Sequence, residues 1–360
     1  MKPATQRLAY LDWVRGLAAI VMLQGHVFDS FIRKDLRDSG PFTVSQFMGG
    51  MPPAVFLFLL GVTFAFLMDS QERKLVSPMA RWGAAVKRSG FLFAVALAFR
   101  LQLWIFAFGK SPWTDLFRVD ILNCMGLAIL LLSVMAVFKT TERIHLCAVL
   151  GAAIAVASPL VSQLDSAQIP SLIRSYFVPD HLSFGFFPWA AFVAFGMCAG
   201  SVLRVLKAEE VAVAMQWFGW GGLTVAFSAY ALSGVPGSLY SSSDFWLNHP
   251  ALIFIKLGVV LMLVAFAWLW NLQMAEGARS WVRQMGVASL LVYWVHVELI
   301  YGSALWVFKE SLTVGQTAVA ALLTILLMLG LALLKKNWGS VRAYLFPAVP
   351  LTERGLVSGD

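Results

Sequence analysis

The feature that most constrains this chain is its succession of long apolar runs. Residues 91–108, FLFAVALAFRLQLWIFAF, are apolar on every side, so a helix formed there has no polar face to turn toward water. About 20 mainly apolar residues carry a helix across a bilayer. By that ruler ten segments qualify, at 11–31, 51–69, 89–108, 121–138, 146–164, 184–203, 211–233, 250–271, 286–308 and 313–334. Hydrophobic residues make up 59% of the 360 residues and charged ones 13%, against roughly a quarter charged in ordinary soluble domains. The sequence therefore predicts an all-α, polytopic integral membrane bundle of about ten helices. A membrane β-barrel is excluded, because its strands would alternate in polarity over short segments.

The net charge of +8 is not a nucleic-acid footprint, since the basic residues collect in short connections between spans. With the N-terminus in the cytoplasm, 17 Lys and Arg fall on that side, 7 on the opposite side and 3 within spans. That bias predicts both termini inside, and a bacterial inner (cytoplasmic) membrane is the expected location. Lys2 and Arg7 precede an apolar run as in a signal peptide. No small-residue cleavage site follows, however, and Asp12 and Arg15 interrupt the run, so a retained first span is expected. No linker or repeat divides the chain, which reads as one domain over 1–345 and a short cytoplasmic tail over 346–360. Cys124, Cys147 and Cys198 sit in or beside apolar runs and read as buried small residues. Gly196 and Gly200 have the spacing that lets two helices approach closely.

Ionisable residues inside a membrane are costly, so those within apolar runs are the default functional candidates. The first span, LDWVRGLAAIVMLQGHVFD, holds Asp12, Arg15, His26 and Asp29. Eleven residues separate Arg15 from His26, which leaves them about 20° apart around a helix and roughly 16 Å apart along it. They share one face. Asp12 is spaced to pair with Arg15, and Asp29 stands one turn beyond His26, where a carboxylate could orient the imidazole. A snorkelling Asp12–Arg15 pair at the interface is the plainer alternative. In the ninth span Tyr293 and His296 lie one turn apart, while Glu298 points elsewhere. Arg100 and Lys256 also fall within spans, and His181, with Asp180, and His249 fall in outer loops.

RLAYLDWVRGLAAIVMLQGH resembles the opening span of the transmembrane acyltransferase superfamily, which includes the acyltransferase-3 O-acetyltransferases and the heparan-α-glucosaminide N-acetyltransferase-like membrane proteins. PPAVFLFLLGVTFAF, VDILNCMGLAILL, FFPWAAFVAFGMCAG and SLLVYWVH resemble later helices of the second branch, in the same order. The resemblance implies transfer of an acetyl group from cytoplasmic acetyl-coenzyme A to an acceptor across the membrane, a sugar or glycan hydroxyl or amine. It places His26 at the catalytic position with Arg15 as its partner, and raises the prospect that His296 lines the same cavity. From the residues themselves, His26 is suited to act as a base or to accept the acetyl group.

Arg81, Lys87 and Arg88 gather in the expected cytoplasmic loop 70–88 and suit the phosphates of coenzyme A, although the positive-inside bias accounts for them equally. No metal or nucleotide-hydrolysis motif is present, so no metal is expected. Membrane lipids are the expected surroundings, and no nucleic acid is expected as a partner. The main functional alternative is a secondary transporter or exporter that uses Asp12, Arg15 and His26 as a substrate or proton site, although the paired broken helices of such proteins are not evident.

Overall fold

The computed structural model describes residues 8–164, 169–234, 240, 242–274 and 280–338. The expected tail at 346–360 lies outside the described residues. Thirteen α-helices follow one another among the described residues: α1 (Ala9–Phe31), α2 (Gly40–Gly49), α3 (Pro52–Arg73), α4 (Pro78–Phe106), α5 (Ile121–Leu132), α6 (Thr140–Ser162), α7 (Ser171–Phe177), α8 (Phe186–Val205), α9 (Val211–Ser233), α10 (Pro250–Gln273), α11 (Trp281–Val287), α12 (Ser289–Tyr301) and α13 (Val314–Lys336). There is no strand among them, only isolated bridges.

Every one of the ten expected segments carries helix. By length and apolarity six stretches suit a membrane crossing: α2 with α3, α4, α6, α8, α10 and α13. The outward faces of these and of α9 are those of an integral membrane protein. Phe91 and Leu97 of α4, Trp217, Trp220 and Phe227 of α9, and Leu322, Leu323 and Leu327 of α13 are all largely exposed, a surface that a protein in water would have to cover. Lipid covers it instead.

Two expected loops are corrected by the structure. Segment 70–88 is helical except for residues 74–77, because Ser77 caps α4 through its Oγ and Pro78 occupies the first turn. Segment 32–50 contains α2, which packs on α1. The expected ninth span is two helices, with Ala288 leaving helical geometry between α11 and α12.

The bundle has two centres. One is the α3–α8 pair, joined by α6, where Gly61 and Gly196 each face a backbone carbonyl of the other helix so closely that a Cβ would collide with it. The Gly196–Gly200 spacing thus serves close packing, with Gly200 against Val62. Phe58, Phe64 and Phe192 fill this core. The other centre is α1, which touches α2, α3, α10, α11, α12 and α13. A helix carrying four ionisable residues is thereby surrounded by protein on most sides, as its charges require.

Candidate functional site between α1 and α12

α1 and α11 cross backbone to backbone. A Cβ on Gly16 would strike the carbonyl of Val282, and one on Gly286 would strike that of Asp12. Only glycine fits at both positions. The break at Ala288 follows directly, and α12 then climbs alongside α1 so that the buried His296 meets His26.

The two imidazoles are 2.9 Å apart, His26 Nδ1 to His296 Nε2, and His296 Nδ1 lies 2.7 Å from the Val292 carbonyl oxygen. A carbonyl only accepts, so Nδ1 of His296 carries the proton. In the neutral ring its Nε2 is then an acceptor. His26 must donate from Nδ1, which leaves the lone pair of the neutral His26 on Nε2. The relay Val292 carbonyl, His296, His26 thus fixes two tautomers in a row and ends on a basic nitrogen, the logic by which a third group orients a catalytic histidine.

His26 lines a cavity of about 270 Å³ that also takes in Arg15, Thr63, Arg88, Ser289 and Tyr293. Arg15 and His26 thus share a face and a cavity. Arg15 holds Asp12 at 3.0 Å, with Asp12 buried and Arg15 partly open. The pairing of these two residues follows the sequence expectation; the partner of His26 does not. Asp29 makes no hydrogen bond to the imidazole. Its Oδ2 accepts from the Tyr301 hydroxyl at 3.0 Å and its backbone carbonyl accepts from Arg37 at 2.8 Å. Tyr301 in turn sets its ring edge against His26, with centroids 5.3 Å apart.

A second cavity, about 660 Å³, opens at the far end of α1. Asp29, Glu298 and Tyr301 line it together with Arg100, Trp104 and Trp306. Arg100 pairs with Asp120 at 3.0 Å, and Asp120 also caps α5 by accepting from the backbone N–H of Leu122 and Asn123. Sequence reading missed Asp120, although an Asp just before an apolar helix is a capping signal. Glu298 faces this cavity rather than the histidine pair.

The three cations assigned to coenzyme A are separated. Arg81 is buried, 3.4 Å from Glu72, and donates to the carbonyls of Val137 and Phe138. It fastens α4 to α3 and to the turn that follows α5. Lys87 is exposed and lines no cavity described above. Arg88, two turns beyond Arg81, is exposed and lines the His26 cavity.

The remaining candidates take other parts. His181 pairs with Asp244 at 3.0 Å, and Asp180 accepts from the Leu182 N–H. His249 caps α10 by accepting from the Ala251 N–H. Cys124 and Cys147 are buried and Cys198 is partly exposed; all are free thiols. Among the described residues no group of three or more His, Cys, Asp or Glu gathers as a metal-ligand set.

No curated protein matches the chain. Residues 7–232, more than half of the chain and the stretch that carries Asp12, Arg15, His26 and Arg88, match the family described as heparan-alpha-glucosaminide N-acetyltransferase, catalytic, and the chain belongs to that family.

Proposed function

We propose that this protein is a membrane acetyltransferase that carries an acetyl group from cytoplasmic acetyl-coenzyme A to a hydroxyl or amine of a sugar or glycan on the opposite side. The observation that carries this reading is the position of His26. It lines the cavity that holds Arg15 and Arg88, and its ring meets the edge of Tyr301, which lines the cavity at the other end of α1. Acetyl-coenzyme A enters from the Arg15 and Arg88 side, where guanidinium groups suit its phosphates and its carbonyls. The acceptor occupies the other cavity, where Trp104 and Trp306 offer flat faces to a sugar ring and Asp29, Glu298 and Arg100 offer hydrogen bonds.

In the direct reaction His26 Nε2 takes the proton from the acceptor as its oxygen or nitrogen bonds to the acetyl carbonyl carbon. The carbon–sulfur bond breaks, and the departing thiolate takes the proton back from the imidazolium. His296 holds His26 in the tautomer this requires throughout. The same lone pair is the one that would attack the thioester if the acetyl group first passes to His26.

Purified protein in vesicles, supplied with acetyl-labelled coenzyme A on one side and a panel of amino and neutral sugars on the other, tests this. Label on the sugar is expected with the natural chain. Movement of solute across the vesicle without labelled product would overturn the reading in favour of transport.

A further inference from the structure

A third cavity, about 900 Å³, runs between α1, α2, α3 and α10, and the function proposed above makes no use of it. Its α1 lining, Leu17, Ala18 and Val21, lies roughly 125° around the helix from the Arg15–His26 face. On α10 the lining residues Leu252, Ile255, Val259 and Leu263 fall in one stripe, which extends on the order of 16 Å along the helix axis. The space is therefore an apolar trough parallel to the helices, within the usual size range of ligand pockets.

One charge interrupts it. Lys256 lies on the same stripe, one turn from Leu252, and its Nζ stands 5.1 Å from the centre of the Trp189 ring. Among the described residues no carboxylate pairs with it. The other basic residues of the trough, Arg37 and His181, already have Glu310 and Asp244. An ammonium inside a membrane span calls for an anion. The Trp189 ring face and the C-terminal turn of α2, next to which Nζ lies, each offer partial negative charge. Neither neutralises a full positive charge.

We infer that this trough binds an anionic membrane lipid, with its headgroup phosphate paired to Lys256 and one acyl chain laid along the α10 stripe. A lipid fits both halves of the observation, the apolar length and the single cation without a carboxylate partner, one turn in from the Leu252 end. A small free phosphate ester satisfies only the cation. The site stands apart from His26, so its failure would leave the acetyl-transfer reading untouched.

Full-length protein stripped of lipid in detergent can be titrated with phosphatidylglycerol, with phosphatidylcholine of the same chains and with glycerol 3-phosphate, and bound species counted by native mass spectrometry. Phosphatidylglycerol is expected to bind at least about tenfold more tightly than phosphatidylcholine, because the choline cation of the latter lies beside the same phosphate and offsets its charge-assisted contact with Lys256. Glycerol 3-phosphate is expected not to bind at the same concentrations. Lys256→Met should reduce phosphatidylglycerol to the level of phosphatidylcholine, Lys256→Arg should keep the preference, and Val259→Trp should weaken both lipids by filling the trough. An undiminished phosphatidylglycerol preference in Lys256→Met, or equal binding of glycerol 3-phosphate, would overturn the site. Where Lys256→Met does not fold, Val259→Trp decides, since unchanged lipid binding in that variant excludes the trough.

Discussion

Two of the polar clusters among the described residues differ in what remains after each has paired with itself. Around the ends of α3, α4, α6 and α8, Asp69 accepts from Arg73 at 2.9 Å, from Arg204 at 2.6 Å and from Thr140 at 3.2 Å. Glu72 lies 3.4 Å from Arg81 and 3.3 Å from Arg143, and Arg143 is wholly buried. Donors and acceptors there are turned on one another, and the cluster binds four helices together. Along α1, by contrast, the chain of bonds from Val292 through His296 ends on a nitrogen of His26 with a lone pair, at the wall of a cavity. Buried charge alone does not mark a functional site. The mark is a reactive valence left over beside a space that can hold a ligand.

That contrast is broken most directly by removing one residue from each cluster. His26→Ala should lower acetyl transfer by about 10²- to 10⁴-fold, the range for loss of a general base, with a smaller loss of stability, about 1–3 kcal/mol for the buried hydrogen bond to His296. Arg143→Ala should do the reverse. Removing the wholly buried Arg143 takes away its bonds to Glu72, to the Thr140 hydroxyl and to the Phe138 carbonyl, each hydrogen bond of a charged group contributing about 1.5–3 kcal/mol, so the yield of folded protein should fall while transfer per folded molecule holds. Parallel melting curves and turnover measurements check both, and an active His26→Ala variant would move the chemistry elsewhere.

A smaller effect sharpens the role of the relay. His296→Ala leaves His26 Nδ1 without its acceptor, and a buried hydrogen bond of this kind is worth about 1–3 kcal/mol, or roughly 5- to 150-fold in rate. Because His296 positions rather than reacts, kcat should fall with little change in the KM for acetyl-coenzyme A. A change confined to KM would mean that His296 contributes to binding.

Much of this arrangement can be read from the sequence, and what cannot has a physical reason. Apolar runs give the helical segments, because a lipid-facing helix must be apolar over its length. The shared face of Arg15 and His26 follows from helical periodicity alone. The early start of α4 is signalled by Ser77–Pro78 but hidden behind the charges that follow. The His26–His296 contact spans 270 residues of sequence and depends on the glycine crossing of α1 and α11, which no local pattern reveals. Asp29 has the right spacing for His26, yet Tyr301 from a distant helix claims its carboxylate. Spacing shows which groups are able to meet; competition from other helices decides which do.

The finest distinction concerns Arg81 and Arg88, two cations seven residues apart on one face of α4. Arg81 is locked between Glu72 and two carbonyls, whereas Arg88 is exposed beside the His26 cavity. If Arg88 meets the phosphates of coenzyme A, Arg88→Gln should raise the KM for acetyl-coenzyme A by about two- to fivefold, small because exposed ion pairs contribute little. Added salt should erase the difference, since screening shortens the reach of such a charge from about 10 Å at 0.1 M to about 3 Å at 1 M. Arg88→Lys should recover part of it, keeping the charge without the bidentate fork. Arg81→Gln should leave KM unchanged at either salt concentration and lower the melting temperature instead, because its loss strips Glu72 of a partner and leaves two carbonyls short of a donor. Equal rises in KM for the two variants would mean that the fastened arginine and the open one act on the same ligand. The division between paired and available charge would then fail at the place where the two clusters come closest in sequence.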